Sequence, residues 1–371
     1  MAAMGGTTRI PAADLSELVR RCCEGVGLSR SDSEAVAAVL LYANLRGQDA
    51  HGIARLPNYM KRVTNGLATG SEQMCVVAES GPLRRLDAGR TIGPAAATKV
   101  TDLAIEVAQE HGVAVIGLGN ATHFGPAGYY ARRAAKLGLI GIVVSNGPKA
   151  VAPHGAAEPL LGTNPLALAV PAGGHGEMVL DMATGAISRG QVRQAARSET
   201  PLPPASALGP DGHPTVEPQA ALRGSILPIS GPKGSGLALA ISLLTILLAD
   251  AQADDEMGSL DAGATPREAG EFPLFNGSVG QVFLVIDPGR LLGPSSLDRV
   301  EAFVDRLHDL RPARGFEAPL IPGELGDAIA AERLEQGILV DLEQLDAVAQ
   351  TCREHDLGAL AGWLQDRYLG R

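Results

Sequence analysis

The sequence predicts an α/β core with helical segments before and after it, and three observations carry that reading. Short β-branched runs bounded by Gly, Pro, Asn or Asp recur from about residue 74 to residue 290, as strands do. They alternate with longer helical stretches, which is the pattern of an α/β fold. On either side of that region the apolar residues recur at helical spacing instead.

Taken in order, the first sixty residues read as helices over 12–24, 35–45 and 53–63. The second is announced by Ser31-Asp32-Ser33-Glu34, which matches a capping box. Strands are predicted at 75–78, 113–118, 139–145, 166–170, 178–182 and 282–287, with helices at 95–111, 128–137 and 236–249. The stretches 200–230 and 254–280 are rich in Pro, Gly and Ser without a sustained period and read as loops. Helices at 297–310, 324–336 and 342–354 close the chain and are expected to pack back on the first ones. The chain thus divides into an N-terminal helical segment (1–72), an α/β core (73–294) and C-terminal helices (295–371).

Composition removes several classes of function. With 31 Lys+Arg against 41 Asp+Glu the formal charge is −10, and 6 Phe, 5 Tyr and 1 Trp leave few rings for stacking bases. Nucleic acid is therefore not an expected partner. The longest apolar run, 237–249, falls short of the ~20 residues of a membrane span. It reads as a buried helix, and no membrane is expected. The first residues carry no basic flank or long apolar stretch, so a cytoplasmic location is expected. Four scattered cysteines read as reduced thiols, and no His or Cys spacing matches a metal site, so no metal is expected.

Two glycine-rich stretches invite a nucleotide-binding reading. Gly117-Leu118-Gly119-Asn120-Ala121-Thr122 lacks the third glycine of the dinucleotide fingerprint, and the next strand ends in Ser145-Asn146 where a ribose-binding acid would stand. Those two misses argue against an ordinary Rossmann unit. Gly231-Pro232-Lys233-Gly234-Ser235-Gly236 does not match an ATPase phosphate loop. A lysine beside a helix N-terminus can still hold a phosphate. A plain turn with a solvated lysine is the other reading.

Chemistry-bearing residues cluster in four places. His51 and Arg55 are four apart, which on a helix shares one face; an arginine fork there binds a carboxylate, or else forms a surface ion pair. In Thr122-His123-Phe124-Gly125-Pro126, His123 stands at a strand-to-helix junction, where α/β proteins build their sites, although a structural histidine fits the same place. The loops Ala152-Pro153-His154-Gly155 and Leu161-Gly162-Thr163-Asn164-Pro165 lie between strands. Asp181-Met182-Ala183-Thr184 ends a strand with an acceptor and a hydroxyl.

In their order and spacing, residues 47–59, 122–146, 152–171, 180–190, 214–222, 231–239 and 337–340 resemble the type-2 malate/L-lactate dehydrogenase family. That family comprises malate, lactate, sulfolactate and ureidoglycolate dehydrogenases and reductases of piperideine- and pyrroline-2-carboxylate. The resemblance implies a non-Rossmann fold, with a large mixed sheet and helices and a helical lobe built from both terminal segments. It also implies a homodimer with sites near the subunit interface.

The implied reaction passes a hydride between NAD or NADP and a small 2-oxo or 2-hydroxy acid or cyclic imino acid. By the same resemblance His123 is the general acid/base, Arg55 the carboxylate clamp, and His51 and Thr163 substrate or nicotinamide neighbours. Asp181, Met182, Ala183, Lys233, Gly234 and Asn146 are implied cofactor contacts. Ala50, Gly147 and Gly185 stand where the family usually has serine. Those departures keep two other readings open: a non-redox lyase, isomerase or cyclase on an eroded cofactor site, and a non-enzymatic binding homologue.

Overall fold

A computed structural model describes residues 6–258, 278–293 and 295–370. Strand β1 (Thr7–Ile10) precedes helices α1 (Ala12–Gly25) and α2 (Arg30–Leu45). The cap of α2 is Ser29 rather than Ser31: its hydroxyl accepts the Asp32 N–H at 3.2 Å. The helix therefore starts before the predicted capping box, and Glu34 pairs with Arg30 one turn back at 2.9 Å instead of reaching the backbone.

The helix expected over 53–63 also differs. Two 3₁₀ turns, Asp49–His51 and Ile53–Arg55, come before α3 (Leu56–Thr64). Gly52 separates them because a Cβ there would overlap the Asn44 side chain, whose Oδ1 accepts the Ile53 N–H at 2.7 Å. His51 and Arg55 thus do not share one face of a continuous helix.

The core begins with β2 (Cys75–Ser80), β3 (Leu83–Asp87), α4 (Gly93–His111), β4 (Val113–Ala121) and α5 (Ala127–Ala135). Pro94 in the first turn of α4 and Gly112 past its end, at φ 86°, mark its limits as helix chemistry requires. Strands β5 (Ile140–Ser145), β6 (Leu166–Pro171) and β7 (Glu177–Met182) follow, then α6 (Arg189–Ser198). The 200–230 stretch, expected to be loop, carries β8 (Ala207–Leu208), β9 (Pro214–Thr215), α7 (Pro218–Arg223) and β10 (Ser225–Ile226). Strands of two residues are too short to show a period, and their pairing into a small sheet of order β10-β8-β9 is what defines them.

Helix α8 (Pro232–Ala249) and strand β11 (Val279–Ile286) complete the core. Residues 259–277 of the second expected loop lie outside the described residues. The chain ends with α9 (Gly289–Leu292), α10 (Ser295–His308), α11 (Glu324–Gln336), β12 (Ile338–Asp341), α12 (Leu342–Glu354) and α13 (Gly358–Leu364).

The main sheet has seven strands in the order β2-β3-β4-β11-β5-β6-β7. It is mixed: β3 and β4 run parallel and every other pair antiparallel. Late in sequence, β11 inserts between β4 and β5, so that Phe283 faces Ile116 on one side and Val143 on the other. Helices α4 and α5 cover one face through small side chains, among them Ala104, Ala108, Ala131 and Ala134, packed on Ile116 and Phe283. On the opposite face α8 lies close to β4. A Cβ on Gly117 would overlap the Leu248 carbonyl and one on Gly119 the Ala249 carbonyl. These glycines, which mimic a fingerprint in sequence, serve helix-on-strand packing.

Helix α8 is the one described helix long and apolar enough to cross a membrane. It lies on the sheet, but only 33% of it is buried, against the expectation of a buried helix. Leu243 and Leu247 are 49% and 78% exposed on its outer side.

A second core joins the two ends of the chain. Leu15, Leu18 and Val19 of α1 pack with Leu345 and Val348 of α12 and with Leu360 and Leu364 of α13, while β1 pairs antiparallel with β12. Helix α10 does not join this lobe; its Val304 packs beside Ala172 and Ile321 at the edge of the main core.

Candidate active site

The helical lobe and the ends of the core strands meet at a cavity of about 410 Å³. Its lining includes His51, His123, Asn146, Thr163, Asp181, Met182 and Ala183. Seven predicted site residues from four sequence regions are thereby brought together. Arg55, Lys233 and Gly234 are outside the lining.

His123 leaves the end of β4 in a turn pinned from both sides. The Gly93 N–H donates to the Thr122 hydroxyl at 2.7 Å, and the Gln281 amide donates to the Thr122 carbonyl at 3.1 Å. The imidazole is then oriented by Tyr59 of α3, whose phenol oxygen lies 2.8 Å from Nδ1. His51 stacks alongside, with ring centroids 5.7 Å apart and planes 12° apart.

Burial, together with the Arg55 guanidinium, His51 and Arg62, holds the His123 imidazole well below its ordinary range. For His51, burial and then Arg55 lower the pKa to about 4. Both rings are accordingly neutral at pH 7, each able to donate from one nitrogen and accept at the other.

The turn that carries His51 is clamped by the C-terminal part of the chain. Arg333 of α11 grips Asp49 through two bonds of 2.7 and 3.1 Å, and Asn44 donates to the same carboxylate at 2.8 Å. Arg55 closes the turn by donating from Nε to the Ala50 carbonyl at 2.9 Å. After burial, its charge is the next cause that lowers both histidine pKa values.

Across the cavity, Asp181 ends β7. Burial raises its carboxyl above the usual range, opposed by bonds from the Gly128 N–H and the Gln48 side chain, the latter at 3.3 Å. Gln48 keeps its own Oε1 buried with no partner among the described residues.

Two expected cofactor contacts, Asn146 and Gly234, also serve the local structure. Asn146 donates to the Gln252 carbonyl at 2.9 Å and accepts the Gly280 N–H at 2.8 Å, so its amide braces β5 to the start of β11. Helix α8 starts at Pro232, not at 236, which puts Lys233 and Gly234 inside its first turn. Lys233 is exposed there, and a Cβ on Gly234 would overlap the Ile229 carbonyl, so this glycine answers a packing need.

Tyr59, Gln48, Asp49 and Arg333 were not singled out in the sequence. Tyr59, Gln48 and Asp49 lie within the 47–59 motif, yet their partners at 123, 181 and 333 are too distant for spacing to reveal.

The low His51 pKa makes stability depend on pH. Folding depresses the pKa from 6.5 to about 4, so the native state binds fewer protons than the unfolded state between those values. The contribution is whole above pH 6.5 and is lost as the pH falls toward 4, on the order of 3 kcal/mol at 1.36 kcal/mol per unit. Tm measured from pH 7 to pH 4 should fall more steeply for the wild type than for His51→Asn; equal slopes would remove this account.

Comparison with known proteins gives the same architecture and a chemical context. A family model described as malate/L-lactate dehydrogenase matches residues 10–349. The chain is similar to the L-sulfolactate dehydrogenase of Methanocaldococcus jannaschii, 36% identical with 88% of this chain and 92% of that protein covered. It is 32% identical to the (2R)-3-sulfolactate dehydrogenase (NADP(+)) of Chromohalobacter salexigens, over 90% of this chain and 93% of that one. In three dimensions it resembles the crystal structure of delta1-piperideine-2-carboxylate reductase from Pseudomonas syringae, with a TM-score of 0.81, 30% identity, and 93% and 99% of the two chains covered.

Proposed function

Because the chain belongs to the malate/L-lactate dehydrogenase family of oxidoreductases, we propose that it uses NAD or NADP to interconvert a small 2-oxo acid, or a cyclic imino acid, with its reduced form. The observation that carries this reading is the stacked His51–His123 pair, with Arg55 beside it and Asp181 and Gln48 across the same cavity.

The residues present fit a nicotinamide group. The buried Gln48 Oε1 has no donor among the described residues, and an acceptor left so costs about 1–3 kcal/mol. Next to it, the Asp181 carboxylate offers further acceptor capacity. The N–H₂ of a carboxamide is the complement of both. Met182 and Ala183 supply an apolar wall, and the space beyond the Gly147 Cα is open. A bound reduced nicotinamide supplies hydride to the carbon next to the substrate carboxylate.

The chain's own residues do the rest. Arg55 holds the carboxylate, which places the reacting carbon in front of the histidines. His123, which takes up a proton once the substrate carboxylate offsets the Arg55 charge, gives it from Nε2 to the carbonyl oxygen or imine nitrogen and is left as the neutral ring. Tyr59 fixes the ring from the Nδ1 side, its phenol oxygen accepting from Nδ1–H as the Nε2 proton leaves. His51 keeps the second side of the ring covered and dry. Lys233, on the exposed first turn of α8, offers its charge to the dinucleotide phosphates.

The protein is further proposed to work in the cytoplasm as a homodimer. The exposed leucine face of α8 supports the second point, because single copies rarely leave such a helix face in water.

The deciding experiment is titration with NADH and NADPH by fluorescence, followed by a screen of 2-oxo acids, 3-sulfopyruvate and cyclic imines for oxidation of the dinucleotide. Binding with turnover of one such acid or imine is expected. Failure of both dinucleotides to bind at millimolar concentration overturns the redox reading and returns that of an eroded site, in which Ala50 and Gly147 offer no hydroxyl to the cavity.

A further inference from the structure

Asp254, in the segment after α8, is a carboxylate with 2% exposure, and no cationic side chain pairs with it among the described residues. A buried charge without a counter-ion is costly unless hydrogen bonds compensate it. Here three donors converge on one oxygen, Oδ2: the Gly162 N–H at 2.7 Å, the Asn164 amide at 2.8 Å and the Ser242 hydroxyl at 2.7 Å.

The donors come from one cavity loop and from α8. Gly162 and Asn164 flank Thr163, which lines it. Asn164 is held at φ 23°, a conformation a non-glycine residue adopts only when its surroundings enforce it. Ser242 anchors the cluster to α8. The backbone carbonyl of Asp254 also accepts the Lys149 N–H at 2.9 Å, next to Gly147 and Pro148 of the cavity wall. The third wall follows, because the Thr184 N–H donates to the Thr163 carbonyl at 2.9 Å, and its hydroxyl lies 3.2 Å from the Asn164 carbonyl. Three loops from distant parts of the chain therefore take their relative placement from one side chain and its backbone.

We infer that Asp254 is a positioning residue for the proposed active site, fixing Thr163 and the 147–149 turn relative to α8 so that the cavity has one shape. Asp254 does not line the cavity itself. The inference rests on the functional reading above for its kinetic consequence, but not for its structural one.

The test uses the full-length protein and two readouts. In Asp254→Ala, amide hydrogen exchange over residues 161–165 and 147–150 should quicken by about tenfold or more relative to the rest of the chain. KM for the carboxylate substrate should rise by on the order of 10- to 100-fold, with a smaller change in kcat. Asp254→Asn keeps the acceptor oxygen and should stay within about threefold of the wild type in both. Asp254→Glu keeps the charge and the fold but pushes the loop outward by one methylene, so KM should rise even if the alanine variant fails to fold.

Val348→Ala, a core change in the terminal helical lobe, should lower Tm without loosening those segments selectively. Unchanged exchange and KM in both Asp254→Ala and Asp254→Glu, or the same selective loosening in Val348→Ala, would overturn the inference. If the wild type shows no turnover, the functional reading has failed, and the exchange pattern alone decides the role of Asp254.

Discussion

Replacing His123 by Asn should leave dinucleotide binding intact and lower turnover by about 10²- to 10⁴-fold, the usual share of a positioned general acid. Asparagine keeps a hydrogen-bonding group toward Tyr59 but cannot pass on a proton. The pH profile carries a second signature. Burial is the largest cause of the low His123 pKa, and the Arg55 charge is the next. A substrate carboxylate on Arg55 cancels part of that charge, so the pKa of His123 should be higher with substrate bound. The basic limb attributed to His123 should consequently lie at higher pH in the kcat profile than in the kcat/KM profile. Near-normal turnover in His123→Asn, or a fall in Tm on the scale of the activity loss, would assign the ring a structural role instead.

The second large effect is expected at Arg55. Lysine supplies one point of charge where the guanidinium fork offers parallel hydrogen bonds to a carboxylate. Losing one charge-assisted bond of about 1.5–3 kcal/mol corresponds to roughly 10- to 150-fold in kcat/KM, expressed mainly in KM. Arg55→Lys also gives up the Nε bond to the Ala50 carbonyl that closes the His51 turn. Arg55→Met separates the two contributions, because it removes the charge as well and should let both histidine pKa values climb. Unchanged kinetics on the carboxylate substrate in Arg55→Lys would remove the clamp.

The alternation of short strands and helices was legible because most of those elements are long enough to show their period, and six of the seven strands of the mixed sheet are among them; β3 was not expected. Local boundaries were less so. Ser29 and Ser31 are both good caps, and it is the Ser29 hydroxyl that accepts the Asp32 N–H. The break at Gly52 arises from Asn44, eight residues earlier, and no helical periodicity contains that contact. At the site, His123 and Asp181 could be singled out because histidine and aspartate at strand ends are chemically conspicuous, and His51 because it stands four residues from Arg55. Tyr59, Gln48 and Asp254 could not, since each acquires its role from a partner 64, 133 or about 90 residues away. The exposed side of α8 was misjudged because an evenly apolar helix looks the same in sequence whether the sheet or a second surface covers its leucines.

The pairing of β1 with β12 bears on how the protein is made. Thr7 to Ile10 find their partners only in Ile338 to Asp341, and the apolar side of α1 meets α12 and α13 only when those helices exist. At the usual ~5–20 residues per second of synthesis, the N-terminal helices wait on the order of tens of seconds on the ribosome with that side uncovered. The seven-stranded sheet waits as well, because its middle strand, β11, is made after six of the others. The nascent chain therefore has an extended window in which holdase chaperones can bind the first sixty residues, the same residues that carry His51 and Arg55. The half-site on that lobe is held in its final geometry only once Arg333 has emerged to grip Asp49. Chains cut short before α11 should accumulate as chaperone-bound species without activity, even though nearly every cavity-lining residue has already been synthesised.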